Sequence, residues 1–120
     1  MSWKTEIGQL FDALKQARDA LIEASKSREE GWQARYGRVR QDLRSSIAAL
    51  EARAAELARS QPDQKIADYH TAVSGFRKVL ENHHARWPVL IIKDRGPDYA
   101  KSMAAVDEGF MELMRLTGRL

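Results

Sequence analysis

Residues 66–87 carry the pattern that most constrains what this sequence can fold into. Apolar and aromatic side chains, with one histidine, recur there at alternating intervals of three and four residues. That spacing places them on one face of an α-helix, as in helices that pack lengthwise against other helices. The helix would be roughly 30–35 Å long at about 1.5 Å per residue. The members of this central seam are Ile66, Tyr69, Val73, Phe76, Leu80, His83 and Trp87.

Three other segments show the same alternation of three and four. One begins near Ser2 or Trp3, one begins at about Trp32, and one follows Pro97. The pair Pro62–Asp63 separates the second helix from the central one, because proline disfavours helix at the residue before it and aspartate is a good N-cap. A chain of 120 residues suits one domain. Four such helices with short connections predict an all-α, up-down-up-down four-helix bundle over residues 1–120.

The connection between the first two helices allows two interpretations. Ser27 followed by Glu30 matches a capping box, which favours a hairpin and a new helix. However, no proline interrupts residues 25–31, and a lone glycine such as Gly31 costs only about 1 kcal/mol inside a helix. One continuous helix over residues 3–59 would be roughly 85 Å long. We favour the hairpin, and the alternative is a long first helix in an intertwined helical dimer.

Composition narrows the classes of function. The 20 basic residues are interleaved with 17 acidic ones, and the net charge is +3, so a solvated surface explains most of them. The chain has no cysteine, which excludes disulfides and thiolate metal sites. No apolar signal region is visible, and the longest apolar run, Val89–Ile92, is too short to span a membrane. These features predict a soluble protein of the cytoplasm with no membrane partner.

The predicted topology gathers aromatic and basic residues at one end of the bundle. The start of the second helix, the end of the third and the start of the fourth share that end. Aromatic residues and arginine are enriched at binding hot spots. The competing interpretation is that they cap the core, with the apolar linker Val89–Ile92 folded over them. We call this predicted partner-binding surface the aromatic end; it comprises Trp32, Arg35, Tyr36, Arg38, His83, His84, Trp87 and Tyr99, with Arg28 nearby in sequence.

One Glu-x-x-His motif, Glu81 to His84, raises the question of a metal site. Di-iron bundles use two such motifs together with two further glutamates. The sequence contains no second copy, so we predict neither a metal nor a cofactor. We expect His83 to be hydrogen-bonded in the core and His84 to be exposed.

The run from His70 to Gly75 bears on a signalling function. It resembles in part the His-x-x-Lys-Gly motif of small four-helix-bundle histidine phosphotransfer proteins, whose histidine faces solvent. Val73 stands at the lysine position, and the glycine comes one place late. The resemblance covers six residues. Phosphotransfer with His70 as phosphoacceptor is therefore an alternative function, and a surface histidine beside the seam is the simpler interpretation.

Four arginines in the second helix suggest a second alternative, nucleic-acid binding through phosphate contacts. They flank both sides of the apolar stripe instead of forming one face, so we expect a solvated rim whose aliphatic stems cover the stripe. Nucleic acid is therefore not the favoured partner. These residues are Arg35, Arg38, Arg40 and Arg44.

The predicted function is a non-catalytic interaction or assembly module that self-associates as a homodimer, with a different protein as the other possible partner. Neither a glycine-rich phosphate loop nor a buried acid pair is predicted from the sequence, which argues against an enzyme. The apolar stripes are wider than a small bundle needs, and surplus apolar surface usually contacts a partner. The residues that widen them are Phe11, Ile22, Met111 and Met114.

Overall fold

The computed structural model describes residues 2–27, 29–89 and 96–120, and it contains no β-strand within these ranges. Each helix packs against the next one in sequence, and α1 and α4 contact each other more sparsely. This arrangement is the predicted four-helix bundle. None of the described helices is long and apolar enough to cross a membrane. The helices are α1 (Trp3–Ser25), α2 (Trp32–Ser60), α3 (Gln64–Arg86) and α4 (Pro97–Gly118).

Three helix starts follow directly from local sequence. The Ser2 hydroxyl caps α1 by accepting a hydrogen bond from the backbone N–H of Thr5 at 3.3 Å. The Asp63 carboxylate caps α3 by accepting from the backbone N–H of Lys65 at 2.9 Å. Pro97 occupies the first turn of α4, where its missing N–H leaves no hydrogen bond unmade. The predicted boundaries of α3 are confirmed.

The chain turns back between α1 and α2, so the hairpin is confirmed and the single long helix is not formed. The predicted capping box is wrong. The Ser27 hydroxyl accepts a hydrogen bond from the backbone N–H of Glu29 at 3.3 Å. Helix α2 begins later, at Trp32, and its N-cap residue is Gly31, which makes no side-chain hydrogen bond to the helix. Gly31 has φ 80°, in the left-handed region that glycine adopts without strain. This glycine therefore reverses the chain direction.

Replacement of Gly31 by alanine is expected to lower the free energy of unfolding by about 1–2 kcal/mol, because a Cβ disfavours the left-handed conformation. Gly37→Ala is the matched control. Gly37 lies inside α2 with nothing within 4 Å of a built Cβ, so alanine there should raise stability by about 0.5–1 kcal/mol. Urea denaturation of both variants measures the difference. Equal effects of the same sign would contradict the hairpin geometry.

The core is built from the predicted seams. Six of the seven residues of the central seam are buried, and Trp87, the seventh, is half-buried. Phe110 of α4 is 0% exposed; its ring stacks on Phe11 with centroids 5.5 Å apart and lies 6.2 Å from the Phe76 ring. Phe11 is thus part of the core, whereas the sequence predicted that it widens the outer apolar surface. Met114 is half-buried against the core.

Some predictions fall on parts of the chain without a described structure. Val89, the first residue of the predicted apolar linker, is half-buried against the core. The rest of that linker, residues 90–92, lies outside the described residues. So does Arg28.

Candidate functional site

Three helices meet at the aromatic end, as the topology predicts. The hydroxyl oxygens of Tyr36 on α2 and Tyr99 on α4 are 3.2 Å apart. The Trp87 ring meets Tyr99 edge-on, with centroids 5.4 Å apart and an interplanar angle of 89°. The His83 ring centre is also 5.4 Å from that of Tyr99. Tyr36, Tyr99 and His83 are buried, so these three residues form the floor of this end and not its outer surface.

His83 is hydrogen-bonded in the core, as predicted. Its Nδ1 lies 2.6 Å from the Ser102 hydroxyl of α4. Burial, aided by the positive charge of Arg40, lowers the pKa of His83 from its ordinary 6.5 to about 4. The expectation that His84 is exposed is wrong: it is half-buried. The same two causes lower the pKa of His84 to about 3. Both imidazoles are therefore neutral at pH 7.

Arg40 overturns part of the predicted arginine rim, because it is only 6% exposed. Its Nη1 donates a hydrogen bond to the backbone carbonyl of Trp87 at 2.6 Å. Its guanidinium carbon lies 5.2 Å from the centre of the Tyr36 ring. No ion pair joins Arg40 to a carboxylate within the described residues. A charged group is thus buried at the end of the core without a counter-charge from those residues.

Several buried polar atoms near Arg40 have no hydrogen-bond partner in the described part of the chain. They are Nε and Nη2 of Arg40, Nδ1 of His84 and Nε1 of Trp87. The other such atom is Nε of Arg18, which lies between α1 and α4. Buried polar groups are normally paired, so this concentration at one end requires an explanation. We call the group formed by Tyr36, Arg40, His83, His84, Trp87, Tyr99 and Ser102 the Arg40 cluster.

The sequence held a signal for Arg40 that the prediction missed. On hydropathy alone we predict Val39, and not Arg40, as the member of the α2 seam after Tyr36, and this choice gives two successive steps of four residues up to Ile47. Choosing Arg40 in its place restores the alternation of four and three. The buried residues of α2 follow that alternation without interruption: Tyr36, Arg40, Leu43, Ile47, Leu50, Ala54 and Leu57.

The remaining residues of the aromatic end lie around the cluster or apart from it. Trp32 is half-buried and meets the Tyr36 ring edge-on, with centroids 6.3 Å apart. Arg35 and Arg38 instead line an open groove of about 500 Å³ beside Glu23 of α1. Nη1 of Arg35 donates to the Glu30 carbonyl at 3.2 Å. The structure therefore brings the predicted aromatics and histidines together and places these two arginines on a neighbouring face.

The other candidate residues have local partners. His70 is half-buried on α3, and its Nε2 lies 3.4 Å from the Ser74 hydroxyl. Glu81, from the Glu-x-x-His motif, accepts a hydrogen bond from Arg77 at 3.0 Å. Within residues 2–27, 29–89 and 96–120, no three histidine or acidic side chains are grouped so that they could hold a metal ion.

Comparisons with known proteins give no family for this chain. No protein-family model, no curated protein and no solved structure matches it. The functional argument therefore depends on the geometry of the Arg40 cluster. Fold class alone would not identify a function, because helical bundles host many unrelated ones.

The replacement Arg40→Met is expected to raise the free energy of unfolding by about 1–2 kcal/mol. Methionine fills similar space without a buried, unpaired charge, and apolar replacement of buried ionic groups is often stabilising. The gain is partly offset because the Trp87 carbonyl loses its hydrogen bond. Denaturation in urea measures the effect. Arg44→Met is the matched control, because Arg44 is exposed on the same helix and should change stability by less than about 0.5 kcal/mol. A destabilised Arg40→Met variant would mean that Arg40 serves the fold.

Proposed function

We propose that this chain is a non-catalytic helical-bundle module that binds a partner protein at the aromatic end. One observation carries the proposal: four buried polar atoms of Arg40, His84 and Trp87 lack hydrogen-bond partners within the described residues. A partner that supplies acceptor atoms would satisfy the three N–H donors among them, those of Arg40 and Trp87, on binding. The bundle supplies a rigid support for them, because their neighbours are packed into the core.

The opposite end of the bundle gives a useful contrast. There the buried Tyr69 hydroxyl lies 2.7 Å from the Thr117 hydroxyl, which in turn donates to the Leu113 carbonyl. Among the described residues of that end, no buried side-chain polar atom lacks a hydrogen-bond partner. Leaving a buried donor unpaired costs roughly 1–3 kcal/mol, so the unpaired donors near Arg40 lower the stability of the fold. A bound partner that pairs these donors would recover that free energy.

The surface around the Arg40 cluster suits a protein contact. Trp32, Trp87 and His84 are half-buried there, so part of each residue remains accessible to solvent. Amphipathic aromatic side chains held by packing lose little entropy when they contact a partner. Tryptophan and arginine are also the residues most enriched among binding hot spots.

The test compares the proteins that the immobilised chain retains from a cell lysate with those retained by two variants. Trp32→Ala removes an aromatic side chain at the aromatic end, and Met111→Ala removes one from α4, where Met111 is 54% exposed. Each protein retained by the wild type is then purified and its Kd measured with all three chains. We expect Trp32→Ala to weaken Kd by about tenfold or more, as hot-spot truncations do, and Met111→Ala to leave it unchanged. The reverse pattern, or no protein bound by the purified wild type, would overturn the proposal.

A second copy of the chain is the other partner that the sequence predicted, and solution mass tests it. The large hydrophobic side chains exposed among the described residues are Ile22, at 38%, and Met111, at 54%. Stable interfaces bury about 1,200–2,000 Å² in total, far more than two such side chains supply. Light scattering after size-exclusion chromatography is therefore expected to give a monomer of 13.7 kDa across micromolar concentrations. A stable dimer would instead favour assembly through α1 and α4.

A further inference from the structure

We propose that the unpaired edge of Arg40 is a carboxylate-binding site, so that the partner presents a carboxylate group to the Arg40 cluster. This inference rests on the proposed function and names the chemistry that the partner must carry. It starts from a side chain that is more than nine-tenths buried and makes one hydrogen bond through Nη1. Its remaining donor atoms, Nε and Nη2, have no partner in the described residues.

The identity of the two unpaired nitrogens of Arg40, Nε and Nη2, indicates the kind of ligand that would bind. In a guanidinium group, Nε and Nη2 lie on one edge and point two N–H bonds in parallel. Carboxylates bind that edge with two hydrogen bonds of about 2.7–2.9 Å, one to each oxygen. In Arg40 the Trp87 carbonyl holds the third nitrogen, Nη1, and the Tyr36 ring lies 5.2 Å from the guanidinium carbon, so two contacts restrain the group. Nε and Nη2, the fork that recognises a carboxylate, are buried, so a carboxylate reaches them only when the residues that cover them move.

Further unpaired polar atoms accompany the fork. The indole Nε1–H of Trp87 is buried and unpaired, and it belongs to the residue whose carbonyl anchors Arg40. His84 Nδ1 is buried and unpaired as well. A carboxylate has about four lone-pair sites, two of which remain after the guanidinium has bound. The two N–H groups of the fork and the indole N–H of Trp87 therefore give the cluster three donors without an acceptor in the described residues.

The charge of the cluster favours a group with a single negative charge. Burial, aided by the positive charge of Arg40, lowers the pKa of both His83 and His84, and both rings are neutral at pH 7. Asp107, the carboxylate whose charge acts on His83, is itself paired with Arg18 at 3.5 Å. The positive charge of Arg40 is therefore matched by a ligand group with one negative charge. A phosphate monoester, at about −1.5 to −2 near pH 7, would be left with uncompensated charge in a buried site.

Nuclear magnetic resonance of this 120-residue chain tests the site directly. The chain has three tryptophans, so three indole N–H signals are expected, and Trp87→Phe identifies the one from Trp87. Titration with sodium acetate should shift that signal and the Nε–H signal of Arg40 until both saturate. Acetamide, which has the same shape and no charge, should shift neither. Inorganic phosphate at about pH 8, where the doubly charged form predominates, should bind about tenfold more weakly than acetate or not at all, because of its second charge.

Substitutions of Arg40 distinguish the contribution of its paired N–H donors from that of its positive charge. Arg40→Lys keeps the positive charge and loses the paired donors, so the acetate Kd should rise by about tenfold or more. Arg40→Met should abolish saturable shifts. Arg44→Met, on the exposed face of α2, should leave them unchanged. Unchanged acetate binding in Arg40→Lys and Arg40→Met, or equal shifts with acetamide, would overturn the proposal.

The chain's own Asp94 supplies a further control, because its carboxylate follows Trp87 closely in sequence. Asp94→Asn should leave acetate binding and stability as in the wild type. If Asp94→Asn instead strengthened acetate binding and lost stability only while Arg40 was present, the carboxylate would come from the chain itself and the proposal would fail.

Peptides then identify the source of the carboxylate. A peptide with a free C-terminus is compared with its amidated form, and an aspartate-containing peptide with its asparagine form. Binding that depends on either carboxylate supports the proposal and assigns the source. Acetate binding without any partner protein would contradict the protein-binding function alone. Partner binding that survives Arg40→Lys would contradict the carboxylate site alone.

Discussion

The variant Phe110→Ala is expected to lose about 3–5 kcal/mol of the free energy of unfolding, the largest effect of any single replacement considered. Phe110 is 0% exposed and lies between Phe11 of α1 and Phe76 of α3, so its ring joins three helices. Its removal leaves a cavity that neighbouring backbones cannot close, in addition to the lost transfer of apolar surface from water. Arg18 also loses the ring beneath its guanidinium, 4.4 Å from the ring centre.

Urea denaturation followed by circular dichroism measures this loss as a lower midpoint with an unchanged slope. Met111→Ala is the control, since it removes a large side chain from the adjacent position of the same helix. Met111 is 54% exposed, so that variant should stay within about 0.5 kcal/mol of the wild type. Similar stabilities for the two variants would mean that the face of α4 turned to the core is misassigned.

Lowering the pH from 7.5 to 5 is expected to reduce the free energy of unfolding by about 2–3 kcal/mol through His83 and His84, after allowance for solvent screening. In the unfolded chain both rings take up a proton near pH 6.5, whereas the folded rings do so near pH 4 and 3. Between these values the unfolded state binds more protons, so acid favours unfolding. The stabilisation is fully present above about pH 6.5 and is lost as the pH falls towards 3.

Denaturation at several pH values between 7.5 and 5 measures this slope, in a window where ordinary carboxylates stay ionised. His84→Gln removes one of the two rings and should remove roughly half of the dependence on pH. His70→Gln is the matched control, because it replaces a histidine of the same helix outside the Arg40 cluster, and its curve isolates the contribution of the pair. A wild-type curve that is flat over this window would show that the rings are hydrated in the folded protein.

The helices could be predicted from the sequence because helix periodicity is a local property. The seam from Ile66 to His83 and the caps at Ser2 and Asp63 are all readable within a few residues. The turn between α1 and α2 was harder, since Ser27 and Gly31 offered two different ways to end a helix. The deciding quantity is the backbone conformation of Gly31, which residue type alone does not specify.

The site was predicted only in part, for a physical reason that Arg40 illustrates. Chain topology brought Tyr36, His83 and Tyr99 to one end without any knowledge of side-chain positions. Hydropathy, however, assigns arginine to the surface, so Val39 was preferred to Arg40 in the seam of α2. Whether a guanidinium is buried depends on what lies across from it, here the carbonyl of Trp87. Such a partner is invisible until the helices are packed.

The sparse contact between α1 and α4 has a consequence for how the chain folds. Most tertiary contacts join helices that are neighbours in sequence, and few join the two terminal helices. Forming such contacts closes only short loops, so the entropy lost before each contact is gained is small. The bundle can therefore assemble by successive addition of hairpins, on the microsecond-to-millisecond timescale typical of chains rich in local contacts. Because the pairing of α1 with α4 closes the longest loop, we expect it to form last.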